Sequence, residues 1–87
     1  MESMKLFVVY LGGKLVEGRM GEDHEVVVVV AEDVTSARRA AKSRWRGVGD
    51  PHIDAVRQLD VVDGYKVMLS EAEPFTDGSP VDSTWVP

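Results

Sequence analysis

Glu25-Val26-Val27-Val28-Val29-Val30-Ala31 is the stretch whose reading decides the fold. Its five consecutive valines make it the most apolar and most β-branched segment of the chain. A strand with one wet face alternates apolar and polar residues. This one does not, so it reads as a central strand, apolar on both sides and covered on both. Glu22-Asp23-His24 leads into it, and the best helical pattern of the chain follows it.

Upstream, Met4 to Leu11 reads as a first strand. Leu6, Val8 and Tyr10 form one alternating set and Phe7, Val9 and Leu11 the other, so this strand also looks central and pairs with the valine strand. The connection from Gly12 to His24 carries four glycines and exceeds the usual hairpin length. A binding loop and a plain excursion of the chain both fit it.

Downstream, the spacing predicts a helix from Val34 to Arg46. Asp33 is placed to cap it by accepting a bond from a free first-turn amide. Val34, Ala37, Ala41 and Trp45 step along one stripe, with Trp45 as the large anchor on the sheet. Gly47 stops the helix, and Gly47 to Pro51 reads as a loop. Two more strands follow, Ile53 to Val62 and Tyr65 to Ser70, joined at Asp63-Gly64. A two-residue type I′ turn would pair Val61 with Lys66. A three-residue loop with a G1 bulge at Gly64 pairs Val61 with Tyr65 and gathers Leu59, Val61, Tyr65 and Val67 on one face. Matching of apolar faces favours the second register.

The fold class expected is therefore α+β, ββαββ, a four-stranded mixed sheet with one helix on one face. The valine strand and the third strand lie parallel through a right-handed crossover. Residues 1–70 form one domain, and 71–87, polar with three prolines, form a C-terminal tail, loose or docked on a partner. One helix cannot cover both sides of the sheet, so the other side is expected to meet a second copy in a homodimer, with the tail contributing.

The chain has 87 residues and no cysteine, which removes disulfides and thiolate metal sites. Its 44% apolar content supports one real core. Net charge is −5, which argues against generic polyanion binding. No stretch is long enough to span a membrane, and none has the form of a signal peptide. A cytoplasmic protein is expected.

His24 and His52 are the only two histidines. His52 and Asp54 stand two apart on extended chain and share a face. If the starts of the two strands lie side by side, His24 and Glu22 reach the same place. Two imidazoles with one or two carboxylates suit a zinc or iron ion, or a base held by an orienting carboxylate. Loop-stabilising histidines are the plainer alternative. Gly12, Gly13, Arg19, Glu22, His24, His52 and Asp54 are the candidate ligand contacts, and His24, His52 and Asp54 the candidate catalytic set. No cofactor is indicated. Gly12-Gly13-Lys14 lacks the spacing of a phosphate loop. Arg38, Arg39 and Lys42 share an outer helix face without interleaved aromatics, which makes a solvated face a better reading than a nucleic-acid site.

Several local patterns occur together: Leu11-Gly12-Gly13, Glu22-Asp23-His24-Glu25, Trp45-Arg46-Gly47, His52-Ile53-Asp54 and Val62-Asp63-Gly64-Tyr65. In this order they resemble a bacterial family of small α+β proteins defined only as a domain of unknown function, family 1543. The likeness runs roughly from Met4 to Leu69. It implies a domain sometimes present twice in one chain, and no assigned activity. A serine often follows His-Ile-Asp in that family. Ala55 stands there in this chain, which argues against a serine nucleophile.

The functional expectation is a small homodimeric binding or interaction domain, with a small-molecule ligand as one possibility. A metal-assisted or acid–base enzyme using His24, His52 and Asp54 is the alternative, and a nucleic-acid binder using the helix arginines the weaker third.

Overall fold

Alternation along two adjacent strands builds the core. In the computed structural model, which describes residues 3–18 and 20–73, strand β1 runs Lys5–Lys14 and strand β2 runs Asp23–Ala31. They pair antiparallel, with Phe7 opposite Val29, Val9 opposite Val27 and Leu11 opposite Glu25. Phe7, Val9, Leu11, Val29 and Ala31 are buried. Helix α1, Val34–Ser43, covers this face with buried Ala37 and Ala41. Alanines there let the helix lie close to the large residues of β1. Asp33 caps it as expected, its carboxylate accepting from the Ser36 N–H at 2.8 Å. That bond holds the Asp33 carboxyl below its ordinary range.

Strand β3, Val48–Gln58, pairs antiparallel with the other side of β1. The sheet is three-stranded, in the order β2-β1-β3. Two short strands, β4 (Val61–Val62) and β5 (Tyr65–Lys66), form a separate two-stranded sheet.

The small α+β architecture with one helix matches the sequence reading; the four-stranded mixed sheet does not. β1 is the centre and the valine strand is an edge. β2 and β3 run in the same direction because each is antiparallel to β1, but β1 lies between them. The valines are also not covered on both sides: Val29 is 1% exposed, whereas Val26, Val28 and Val30 are 55%, 51% and 43% exposed. The edge is partly closed from the helix side, where Arg44 Nη1 donates to the Val28 carbonyl at 2.7 Å.

The helix ends at Ser43, not Arg46, and its last carbonyls are met by the Arg44 N–H, donating to Ala41 at 3.0 Å, and the Trp45 N–H, donating to Lys42 at 3.1 Å. Trp45 still packs against the core, from beyond the helix. A Cβ at Gly47 would lie 2.2 Å from the Lys14 carbonyl oxygen and 2.4 Å from the Trp45 ring, so only glycine lets the chain turn there and begin β3 at Val48. The segment expected as a loop up to Pro51 is thus largely strand, and β3 ends four residues short of the expected Val62.

The hairpin takes the other register as well. Val61 faces Lys66 and Val62 faces Tyr65, with φ of +53° at Asp63 and +83° at Gly64. Both turn residues are left-handed, as a two-residue type I′ turn requires. The apolar-face argument failed because Val61 and Tyr65 are both exposed. Matching faces sets a register only where one face is buried.

Candidate functional site

The face of the sheet turned away from α1 carries the other half of each alternation. Along β1 these residues are Leu6, Val8, Tyr10 and Gly12; their β2 partners are Val30, Val28, Val26 and His24. On the β3 side Tyr10 faces Ala55 and Gly12 faces His52. Gly12 therefore has a histidine on each side, from different strands. The two histidines meet across the central strand, not between neighbouring strand starts as the sequence reading supposed.

The third residue lies at a register shift between Tyr10 and Leu11. Tyr10 pairs with Ala55 and Leu11 with Ile53, which leaves Asp54 as the extra residue of a bulge. Here Asp54 keeps the face it shares with His52 by alternation, and the extra residue lets Ile53 and Val56, three apart, both pack on the core. Glu22, the last residue before β2, supplies the fourth group. The loop from Leu15 to Glu22 is tied at its ends, the Leu15 N–H donating to Asp23 Oδ2 at 3.0 Å.

These side chains form a closed circuit. His52 Nε2 lies 2.7 Å from Glu22 Oε1 and 3.1 Å from Asp54 Oδ1. His24 Nε2 lies 3.3 Å from Asp54 Oδ2 and 3.8 Å from Glu22 Oε2. Each carboxylate thus gives one oxygen to each imidazole. The side chains remain between 34% and 56% exposed, so the circuit opens to solvent. Its floor is Gly12. A Cβ there would stand 2.6 Å from His52 Nε2, 2.9 Å from Glu22 Oε1 and 3.0 Å from Asp54 Oδ2. Tyr10 stacks on His24 with centroids 5.0 Å apart and the rings 19° from parallel, which fixes the plane of that imidazole.

Of the residues singled out by sequence, Gly12, Glu22, His24, His52 and Asp54 come together. Gly13 does not join them. Its missing Cβ makes room for the Trp45 ring, 2.8 Å away, on the helix side. Arg19 lies outside the described residues. Tyr10, outside the candidate set, is a positioning neighbour of the site; its sequence signal was the period-two phase it shares with Gly12.

Three basic residues at the end of the helix and just beyond it have partners. Arg44 holds the edge of β2, Arg46 reaches Glu25 Oε2 at 2.7 Å, and Lys42 lies 3.7 Å from Asp50. Glu25 is on the helix side, its side chain only 9% exposed, so Arg46 pairs a nearly buried carboxylate. Among the described residues, no helix is long and apolar enough to cross a membrane.

Neither the curated proteins nor the solved structures contain a match to this chain. One family model does match, over residues 19–69, a span that holds Glu22, His24, His52 and Asp54 and leaves out β1 with Gly12. Because that span is more than half of the 87 residues, the chain belongs to the family described as Domain of Unknown Function (DUF1543).

Proposed function

We propose that this chain is a small binding domain whose ligand site is the circuit of Glu22, His24, His52 and Asp54 above Gly12. One observation carries the reading: histidines from two different strands approach the same two carboxylates over a residue that has no side chain. Four exposed side chains that converge from two strands and a loop are arranged for a ligand that interacts with imidazole nitrogen and carboxylate oxygen together.

The test is the response of the two imidazole rings to a change at a third residue. In the Glu22→Gln protein, ring carbon and proton resonances of both His24 and His52 are expected to move at fixed pH. Movement of neither ring, or of one alone, means that the four groups do not act as a unit and removes the reading. Acid–base chemistry by His24, His52 and Asp54 rests on the same contacts, since an imidazole beside a carboxylate is a base with its orienter. The binding reading needs less, because it requires no further reacting group.

A homodimer is a second proposal, favoured by a different observation. Val26, Val28 and Val30 are about half exposed in one row on the helix-free face, beside Tyr10 at 41%. The row continues at one end into a hollow lined by Met4, Val67, Met68 and Leu69. A second copy of this chain, meeting it face to face, is the occupant that two equal valine rows fit. Arg44 on the Val28 carbonyl works against edge-to-edge pairing of β2. Light scattering at micromolar concentration is expected to give twice the chain mass, and Val28→Glu to return it to one. A monomeric parent protein removes this proposal.

A further inference from the structure

We infer that the circuit over Gly12 is a site for a divalent first-row transition ion of the zinc type, held by His24 Nε2, His52 Nε2 and the carboxylates of Glu22 and Asp54. The inference rests on the binding reading above and gives it a ligand class. Three observations lead to it.

The first is spacing. Four ligands 2.0–2.2 Å from a tetrahedral ion stand about 3.3–3.6 Å from one another. The four nitrogen–oxygen separations, in which each carboxylate turns a different oxygen to each ring, are 2.7, 3.1, 3.3 and 3.8 Å, scattered about that range. As they stand, no three such side chains among the described residues are spaced to hold an ion. The obstacle is the direct contact of His52 with its two carboxylates. Widening it to that range takes about 0.2–0.5 Å at the Asp54 contact and about 0.6–0.9 Å at the Glu22 contact. Every side chain involved is at least one-third exposed, which leaves room on the solvent side for that movement.

The second is charge. The two carboxylates bring two negative charges to the centre, and a dication cancels them. The third is donor type. Both rings offer the same nitrogen, Nε2, to the centre. Imidazole favours zinc, cobalt, nickel or iron over calcium and magnesium, which prefer all-oxygen sets. The stacked Tyr10 holds the His24 ring in place, and Gly12 keeps the centre clear.

The experiment titrates the full chain, after chelator treatment, with Co²⁺ and Zn²⁺ at neutral pH. One ion per chain is expected, Co²⁺ giving the strong visible bands of four-coordinate cobalt and Zn²⁺ abolishing them, with Ca²⁺ unable to compete. His24→Ala, His52→Ala and Asp54→Asn should each weaken binding by about tenfold or more. Gly12→Ala should do the same while its circular dichroism stays that of the parent. Absence of Co²⁺ and Zn²⁺ binding overturns the inference, and so does binding that survives both histidine replacements. If binding is absent while Glu22→Gln still moves both imidazole rings, the metal assignment fails and the binding site stands. If the rings do not respond either, both fall.

Discussion

Val28 and Val29 are neighbours on one strand and end in opposite surroundings. Val29 lies under the helix, 1% exposed, against Phe7; Val28 stands on the other side, 51% exposed, opposite Val8. The two faces of the sheet differ in the same way throughout. The helix side is close-packed, with Phe7, Val9, Leu11, Ala37 and Ala41 fully buried. The helix-free side holds an exposed apolar row and a place where titratable groups from β2, β3 and the loop before β2 converge. The contrast separates two duties of a small sheet. One face supplies stability, and the other is left to interact.

The comparison makes its largest prediction at Phe7. Phe7→Ala should cost about 3–5 kcal/mol in chemical denaturation, because it empties the centre of the covered face. The sharper test is the valine pair. Val29→Ala should cost about 2 kcal/mol, through two lost methyl groups and the space they leave. Val28→Ala should stay within about 0.5 kcal/mol in a monomer. If the two cost the same, the helix-free face is covered in solution, and the dimer gains support from a measurement that never looks at mass.

Glycine replacement divides the faces in a second way. Gly47→Ala drives a Cβ into the Lys14 backbone and should cost about 1–3 kcal/mol. Gly12→Ala meets only the ends of exposed side chains, which can swing away. Its melting temperature should stay close to the parent's while the histidine ring resonances shift. A large loss of stability in Gly12→Ala would mean that the circuit is structural.

The smallest effect is expected at the helix cap. The Asp33 carboxyl is held below its ordinary 3.8, first by the bond it accepts from the Ser36 N–H. A lowered folded-state value means stability that is present above the unfolded value and lost as pH falls through the folded one. Below about pH 4 the parent should therefore lose a small increment that Asp33→Asn does not lose. At neutral pH Asp33→Ala should lower the melting temperature by only a few degrees, the cap being fully exposed.

Much of the site was legible because its residues are rare. Two histidines, one with an aspartate two positions on, mark themselves in a chain of this length. What could not be read was how they meet. It depends on the pairing of Gly12 with both His24 and His52, and on the bulge at Asp54. Neither the register nor the bulge has a local signature in His52-Ile53-Asp54-Ala55. The helix start was legible for the opposite reason, since the Asp33 cap is a local bond. The helix end was not, because it is set by how Gly47 must pass the Lys14 backbone, a contact far away in sequence.

By itself, the sequence determined that this chain forms two long strands, one capped helix and a further extended segment, with two histidines beside acidic residues. Those facts follow from side-chain period, β-branching and capping, all of which act within a few residues. Tertiary structure alone decided that β1 is the centre, that the valine strand lies at the edge with one side bare, and that the histidines share a floor at Gly12. Five valines are equally apolar in the middle of a sheet or at its rim, and only the partner on each side distinguishes the two.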